Sequence, residues 1–543
     1  MLHQNQDDYQ SFNSPLLSVI KELHLKQYLY LAGFNKIKGP SPLSMQVDMI
    51  NSIFLGKNLW RASVSSGKNQ LNSSEKALYR FMSNIHSNWY LLCFYVGAYA
   101  MRNIRSFGKQ EHNEDLCLII DDSVIEGPCT KKANNCTWTF DHNKMKSVKG
   151  YNCLQLSVTD GHTTLPLGAK LLASDEDALI EAGKLMRKAC PKPRTIKKKT
   201  DGRSHCAFLK EESTESKPDL VTKMVKLAKK LIGGIHYVLM DSWFFYEPLI
   251  KEFKKLHLFS IGILKQDNRR YHRLNSKGQS VRYDSIEDLA ASVKHRRFKD
   301  PHIIGTEVLV ALTQNETFAE GVKMKVVYLR HHTDAKKIIV IASTDTSISA
   351  EKIVKLYSRR WNIEVGFHIQ KSFLGLASEC QSTDYDSQVA YANLSALRDI
   401  LIEYKKRTEE APRAAGVLFN SISECIRKIP LADAVDKLLD MVENIPNILL
   451  KSGCIDKAHY QMTKEIVFKV IWKWYSKLND YVLNFMQRCQ SEIAELLHKV
   501  KKHKVWLNSD FVEKYAIRKC KKLKNRSKQQ GKGDLRLSLS FCL

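Results

Sequence analysis

The chain has 543 residues and a formal net charge of +28, with 85 Lys and Arg residues against 57 Asp and Glu. This length predicts more than one domain, and a hydrophobic content of 43% is typical of globular rather than disordered protein. An enzyme for small neutral substrates has no reason to carry so much positive charge. A nucleic-acid partner supplies one, because each Lys or Arg set against a phosphate releases a condensed counterion. A merely soluble basic protein is the alternative.

The cysteines and the apolar runs restrict the class of protein further. The 13 cysteines include no Cys-x-x-Cys pair, which argues against a disulfide framework and a zinc ribbon and favours free thiols in a reducing cytoplasm. The first residues, MLHQNQDDYQ, lack the basic and then apolar pattern of a signal peptide. The longest apolar run, Trp89 to Met101, is too short to span a bilayer and predicts a buried helix. We therefore expect no membrane association.

Residues 1–107 are predicted to be helical, because apolar residues recur every three or four positions, as at Leu16, Ile20 and Leu23. The Asn72 to Glu75 stretch is typical of a helix start. Basic residues are dispersed over this block. A small helical DNA-binding domain and a purely structural helix bundle are both compatible with this pattern.

Two short apolar runs beyond residue 115 are typical of buried strands, and both end in aspartate. The first, 116–120, leads into Asp121 and Asp122, and the second, 235–240, leads into Asp241. A carboxylate at the end of a buried strand is held rigidly at the rim of a sheet. Taken alone, each aspartate is more typical of a turn residue at a strand end or a helix cap.

The other predicted elements alternate between strands and helices as far as residue 264, and three strands follow before the chain becomes helical again. A helix capped by Ser349 is predicted to run to about 373, and a further helical stretch, broken at Pro412, covers 385–510. The remaining predictions are strands at 151–159 and 162–172 around an Asp160-Gly161 turn, a basic loop at 191–203, helices at 218–232 and 244–256, strands at 259–264, 303–312, 322–329 and 338–342, and a basic stretch at 511–536.

The segment YSRRWNIEVGFHIQK at 357–371 adds a third acid. On a continuous helix, Tyr357, Arg360, Glu364 and Lys371 would fall within about 60° of one face. Three carboxylates on neighbouring elements can hold two divalent ions about 3.5–4 Å apart, and hard oxygen ligands suit Mg²⁺ or Mn²⁺. The alternative is a solvated helix face with an Arg360–Glu364 ion pair. An adjacent apolar stripe that would pack on the core consists of Leu356, Ile363, Phe367 and Leu374.

The pattern Tyr-x2-Arg-x3-Glu-x6-Lys resembles the signature of bacterial insertion-sequence transposases of family four, the DDE cut-and-paste group. The contexts of the two aspartate sites, LIIDDSVIEGPC at 118–129 and YVLMDSWF at 237–244, are also similar to that family. So is SVKGYN at 147–152. The resemblance covers roughly 115–375.

The resemblance implies a ribonuclease-H-like core in which Asp122, Asp241 and Glu364 are both the catalytic residues and the ligands of two Mg²⁺ or Mn²⁺ ions. Asp122 is preferred to Asp121 because the family's first acid is followed by Ser or Thr, and Ser123 follows Asp122. Asp121 remains an alternative.

The resemblance also implies a set of DNA-contacting residues. The family's Tyr, Arg and Lys contact the phosphates of the transposon end, and here they correspond to Tyr357, Arg360 and Lys371. Some members stack a base on a Trp in an inserted β-domain. No Trp lies between residues 244 and 360, so Trp361 or Tyr328 is expected to serve instead.

The expected function is therefore DNA transposition by strand cleavage and strand transfer. The partners would be the terminal inverted repeats and the target, both double-stranded DNA, with a homodimer in the DNA complex and a cytoplasmic, nucleoid-associated location in a bacterium. A metal-dependent endonuclease on the same fold and a catalytically inactive, transposase-derived DNA-binding protein are the alternatives. The expected α/β organisation is a helical DNA-binding domain at 1–107, a catalytic core at 108–265 and 348–384 interrupted by a mostly β insertion at 266–347, a helical C-terminal region at 385–510 and a basic tail at 511–543.

Overall fold

Helices make up the described part of the chain before residue 108, in agreement with the apolar periodicity. Helix α4 begins at Glu75 with Ser74 as its N-cap residue, so the predicted start is confirmed. The apolar run at Trp89 lies in α5, which is largely buried. The helices are α1 (Leu17–Glu22), α2 (Leu25–Leu31), α3 (Pro42–Ser52), α4 (Glu75–Met82) and α5 (Trp89–Phe107).

This computed structural model divides into two compact units, Met1–Ser423 and Glu424–Leu543. No helix among the residues it describes is both long and apolar enough to cross a bilayer. The predicted basic loop at 191–203, the break at Pro412 and the basic stretch at 511–536 lie outside the described residues. The described residues are 16–36, 38–55, 73–107, 115–127, 135–141, 144–174, 205–293, 298–312, 317–330, 338–380, 382–408, 414–424 and 444–475.

The first unit is built around one mixed sheet of eleven strands among the described residues. Its order is β2-β3-β1-β5-β6-β11-β10-β9-β7-β8, and β4 pairs with β3 beside β2. The β1–β5 and β5–β6 pairs are parallel, and the other pairs are antiparallel. The strands are β1 (Leu116–Glu126), β2 (Thr137–Asp141), β3 (Lys146–Thr159), β4 (Thr164–Leu172), β5 (Ile235–Met240), β6 (Phe259–Ile263), β7 (Arg270–Leu274), β8 (Ser280–Ser285), β9 (Ile303–Ala311), β10 (Val322–Arg330) and β11 (Ile338–Ser343).

Strand β1 extends further than the sequence predicted. Its parallel pairing with β5 ends near Leu239, but its antiparallel pairing with β3 continues as far as Glu126 opposite Gly150. Asp121 and Asp122 therefore lie within β1, not after it. The predicted placement at a strand end was wrong for these two residues and correct for Asp241, which directly follows β5.

Between residues 266 and 347 the described chain is mainly strand. The predicted strands correspond to β9, β10 and β11 within two residues at each end. The β7–β8 hairpin was not predicted, because β8 forms the edge of the sheet and shows no alternation of buried and exposed residues.

The helices of the sheet region agree with the sequence except around Arg360. Ser349 caps α10 as predicted, its hydroxyl accepting from the backbone N–H of Lys352 at 3.1 Å. The single helix predicted from Ser349 to about 373 is instead two helices. They are joined at Arg359 and Arg360, whose backbone N–H groups donate to the carbonyls three residues earlier, as in a 3₁₀ turn. The helices are α6 (His205–Glu212), α7 (Lys217–Leu231), α8 (Glu247–Lys255), α9 (Ile286–Ala291), α10 (Ala350–Ser358), α11 (Trp361–Ser372), α12 (Tyr385–Thr408) and α13 (415–424).

The break between α10 and α11 has a local cause. The Arg359 side chain is buried, and its guanidinium donates to the Asp115 carbonyl at 2.7 Å. It also lies against Gly161, where any added Cβ would come within 2.8 Å of the guanidinium carbon. These contacts hold Arg359 towards the sheet, while the predicted apolar stripe of both helices is buried.

The second unit is helical where it is described. Its helices are α14 (444–451) and α15 (Lys457–Tyr475).

Candidate active site

The register of two parallel strands places Asp121 beside Asp241. Ile119 of β1 lies opposite Leu239 of β5, and each aspartate comes two residues later in its strand direction. Because side chains two apart in a strand share a face, Asp121 lies on the face of Ile119. Ile119 and Leu239 share a core cluster with residues of α10 and α11. Asp121 is therefore on the side of the sheet that carries Glu364.

Arg360 connects Asp121 to Glu364. One guanidinium nitrogen, Nη1, lies 3.4 Å from Asp121 Oδ2, and the other, Nη2, lies 2.5 Å from Glu364 Oε1. Glu364 stands in the first turn of α11, where the helix dipole favours an acid. One positive charge thus lies between a carboxylate of the sheet and a carboxylate of the helix.

Asp241 is fixed by the turn that follows β5. Its Oδ1 accepts the backbone N–H groups of Trp243 and Phe244, both at 3.0 Å. Burial raises the pKa of Asp241, the two N–H bonds lower it, the charge of Asp122 raises it and Arg360 lowers it. The carboxylate is thus rigid, partly desolvated and electrostatically coupled to Asp122 and Arg360.

The pKa of Asp121 is raised to about 7, mainly by burial. The backbone N–H of Asp122 and the Arg360 guanidinium oppose this shift, while the charges of Asp241 and Asp122 add to it. The Asp121 carboxyl is therefore largely removed from solvent and lies among other acidic groups. Strong perturbation of this kind by burial and neighbouring charges is typical of functional sites, although structural ion pairs also produce it.

Asp122, the next residue of β1, lies on the opposite face of the strand from Asp121. Its Oδ2 accepts hydrogen bonds from Asn152 and from Lys217, the latter at 3.1 Å. Lys217 is the first residue of α7, a helix distinct from the one that bears Glu364. The geometry favours Asp121 over Asp122 as the partner of Asp241 and Glu364, which is the alternative that the sequence left open.

The residues expected to contact DNA lie on both sides of the break at Arg359 and Arg360. Tyr357, in α10, is 9% exposed, its ring centroid is 5.9 Å from the Arg360 guanidinium carbon, and burial raises its pKa to about 12. Lys371, in α11, is exposed and binds β1 through Ser123 Oγ at 2.7 Å and the Val124 carbonyl at 3.0 Å. The four signature residues therefore do not share one continuous helix, but the fold still brings Arg360, Glu364 and Lys371 to β1.

The two aromatic candidates differ in accessibility. Trp361 is 60% exposed and could contact a ligand. Tyr328 is 0% exposed, and its hydroxyl donates to Glu307 in the β-rich region. Tyr328 cannot stack on a base in this arrangement, so that expectation was wrong: β10 buries the ring between its neighbours in the sheet.

Two residues at this site were not found from the sequence. Lys217 binds Asp122, and its Nζ lies 4.8 Å from the centroid of the Trp243 ring. Trp243 follows Asp241 by two residues, and that proximity was the available signal. Lys217 stands 24 residues before Asp241, and no spacing rule links them.

The donor set suits a hard divalent cation, because Asp121, Asp241 and Glu364 all offer carboxylate oxygens. In the part of the chain that the structure describes, however, no three acidic, His or Cys side chains are arranged as a ready-made metal site. Arg360 occupies the place between two of the carboxylates. The residues therefore fit such an ion chemically and would have to close around it.

Residues 210–397 match the family model described as the transposase DDE domain. Comparison with curated proteins gave no match. The matched segment contains Asp241, Arg360 and Glu364 and begins after β1. This match supports a DDE-type transposase, independently of the side-chain geometry.

Proposed function

We propose that the protein is the DNA transposase of a bacterial insertion sequence and that it cuts and joins DNA at the ends of its element. The observation that supports this most directly is the position of Arg360 between Asp121 and Glu364, with Asp241 at the adjacent strand end. Carboxylates on neighbouring elements can hold the two divalent ions of a phosphoryl-transfer centre. Arg360 and Glu364 fall within the segment that matches the transposase domain.

We propose Asp121, Asp241 and Glu364 as ligands of Mg²⁺ or Mn²⁺, with Asp122, the residue expected from the sequence, as the alternative first acid. Two such ions, when bound, supply an activated water or 3′-hydroxyl and stabilise the leaving oxygen of an in-line displacement. The two N–H bonds to Asp241 would hold that carboxylate in a fixed orientation. Arg360 and Lys371 would bind phosphates beside Glu364, since a guanidinium and an ammonium both suit phosphate oxygens.

The order of part of the sheet supports a ribonuclease-H-like core. In the order β4-β3-β1-β5-β6, the first three strands are antiparallel and the last two join them in parallel. We propose that the strands from β7 to β11 are an insertion into this core, lying between Asp241 and Glu364 in sequence. They pair with β6 through β11, so the insertion would extend the core sheet.

The partners we propose are the terminal inverted repeats and target DNA, bound by a homodimer. The net charge of +28 supports a polyanionic partner. Exposed cations on α4, Lys76 and Arg80, are candidates for contacts by the proposed N-terminal DNA-binding domain. The N-terminal helices pack against α12 within the first unit, so these contacts are best tested in the full chain.

The test is a cleavage and joining assay with Mg²⁺ or Mn²⁺, on duplexes carrying the inverted repeats that flank the gene. We expect Asp121→Ala, Asp241→Ala and Glu364→Ala to lose cleavage while gel-shift binding to the ends survives, because affinity comes mainly from phosphate contacts. Asp122→Ala is the matched control on the same strand and should retain most activity. An active Asp121→Ala and an inactive Asp122→Ala would reverse the assignment of the first acid.

The same assay separates the alternatives. A metal-dependent endonuclease would cut the ends without joining them to a target. A catalytically inactive DNA-binding protein would shift the DNA and do neither. Either outcome from the unmodified chain would exclude the transposase.

A further inference from the structure

Strand β8 forms one edge of the sheet. Among the residues that the structure describes, β8 pairs with β7 and with no other strand. Its first four residues, from Ser280 to Tyr283, are all exposed. An edge strand presents a row of backbone N–H and C=O groups that can pair with a further strand. The β8 edge therefore meets the first requirement for the addition of another strand.

One face of this edge carries exposed aromatic and apolar side chains. Tyr283 is 49% exposed, and Val281, two residues earlier on β8, is also exposed. The Tyr283 ring stacks on His272 of β7, with ring centroids 4.3 Å apart. The exposed Phe318 ring meets His272 edge-on, with centroids 5.5 Å apart. These contacts hold the rings in place, so the face is a preorganised apolar surface that would gain from being covered.

The other face of β8 carries one base and one acid. Arg282 and Asp284 are two residues apart, so they share that face, and they form an ion pair with each other. An edge that carries charges of one sign repels an identical edge. An edge that carries both signs can meet a copy of itself, provided that unlike charges lie opposite each other.

Two-fold symmetry restricts the ways in which two copies of β8 can pair. Opposite side chains of an antiparallel pair lie on the same face, so one residue must lie opposite its own equivalent. Two registers pair most of the strand, through 280–284 or through 281–285. The first is centred on Arg282 and places the two arginines opposite each other. The second is centred on Tyr283 and places Arg282 opposite Asp284 of the second copy, at two symmetric positions.

We propose that β8 is a docking edge for a second copy of the chain, with the two strands antiparallel and centred on Tyr283. This register joins two sheets into one, brings the two Tyr283 rings together and pairs the charges of Arg282 and Asp284 across the contact. A contact this short is smaller than the roughly 800 Å² per partner of a standard interface, so the association is weak. The inference names the surface of the proposed homodimer and in that respect rests on the proposed function.

The test is the association of the full chain without DNA, measured by energy transfer between donor-labelled and acceptor-labelled copies. Arg282→Asp should raise the dissociation constant about 10-fold or more, because acids then face each other at two symmetric positions. Asp284→Arg should do the same by opposing two bases. Lys323→Asp is the matched control and should change nothing, since Lys323 is an exposed cation on β10, which has strands on both sides.

A mixture of the two single variants separates a contact between copies from the ion pair within one strand. An Arg282→Asp copy and an Asp284→Arg copy offer each other unlike charges at both positions, so the mixed pair should associate about as tightly as the unmodified chain. Neither variant regains its own Arg282–Asp284 pair on mixing. A merely structural role of that pair within β8 therefore predicts no recovery.

A chain that stays monomeric up to about 100 μM, or variants that do not recover on mixing, would overturn the inference. Unchanged association of Asp284→Arg would exclude the register centred on Tyr283. Cleavage and joining are scored separately. A protein that cuts and joins DNA without recovery on mixing fails this inference alone, and one that associates through β8 without cutting fails the proposed function alone.

Discussion

Two arginine–carboxylate groups in the first unit have similar chemistry but different surroundings. Arg398 of α12 is fully buried, donates to both oxygens of Glu379 and also binds the Met49 carbonyl, the Leu374 carbonyl and Ser52 Oγ. Arg360 is partly exposed and binds one oxygen each of Asp121 and Glu364. In the first group one cation meets one acid and several neutral acceptors. In the second, one cation serves a cluster of acids.

The contrast indicates different roles for the two groups. A buried pair surrounded by hydrogen-bond acceptors joins elements that are distant in sequence, here α3 and α12, and its loss leaves an uncompensated buried charge. In the second group the Asp121 carboxyl has a pKa of about 7, raised mainly by burial and further by the charges of Asp241 and Asp122. We therefore expect changes at Arg398 and Glu379 to affect folding, and changes at Glu364 to affect chemistry.

The largest expected effect is that the same substitution at two glutamates impairs different properties, cleavage at Glu364 and stability at Glu379. Glu364→Gln should reduce strand cleavage by more than about 100-fold, since even residues that only orient metal ligands cost about 10- to 100-fold. It should leave the melting temperature nearly unchanged, because Glu364 is partly exposed. Glu379→Gln should lower the melting temperature and leave the cleavage rate per folded molecule intact. A Glu364→Gln protein that cleaves normally would contradict the proposed site.

The second effect compares the two arginines in a denaturant titration. Arg398→Met should lower the free energy of unfolding by about 3–5 kcal/mol, because Glu379 would remain buried without a partner. Arg360→Met should lower it clearly less than Arg398→Met does, because Glu364 is partly solvated and Asp121 can take up a proton when its partner is lost. Equal losses in the two variants would show that the Arg360 group is structural.

The third effect concerns Lys371, whose Nζ donates to two neutral oxygens of β1. Lys371→Ala should reduce joining of cut ends on the order of 10-fold, as expected for one charge-assisted contact. General duplex binding should fall less. Joining is measured with pre-cut ends, and a parallel gel shift on random DNA is the control. Equal losses in both would favour a merely solvated helix face.

The sequence predicted much of this region because the signals are local. Strand β5 was predicted to the residue, and the turn at Asp160 and Gly161 was recognised from its residue types. Asp241 and Glu364 were selected by their positions after a buried strand and beside two cations.

The sequence of β1 alone could not predict which face of the sheet Asp121 and Asp122 occupy. The run from Leu116 to Ile120 is buried on both faces, so it has no alternation from which a direction can be read. The direction follows only from pairing with β5, which lies more than a hundred residues later in the chain. The division between α10 and α11 also depends on distant contacts, since Arg359 is held by Asp115 and Gly161.

The expected effect that is least tied to the comparison of the two arginine groups is a pH dependence of stability at Asp399, a carboxyl buried behind the helix that bears Glu364. Asp399 lies on α12, and Gln370 of α11 donates to its Oδ2 at 3.0 Å. The charge of Glu403, on the same helix, raises its pKa, and the charge of Lys406 lowers it. Burial raises its pKa to about 8, from 3.8 in the ordinary state. The folded protein therefore holds a proton that the unfolded chain releases, so this group's contribution to stability is complete at low pH. It declines as the pH rises from about 4 to about 8. Asp399→Asn should remove this slope and change the free energy of unfolding little near pH 4, where both side chains are neutral. Denaturant titrations of both proteins across that range measure the difference, and parallel pH profiles would exclude Asp399 as its source.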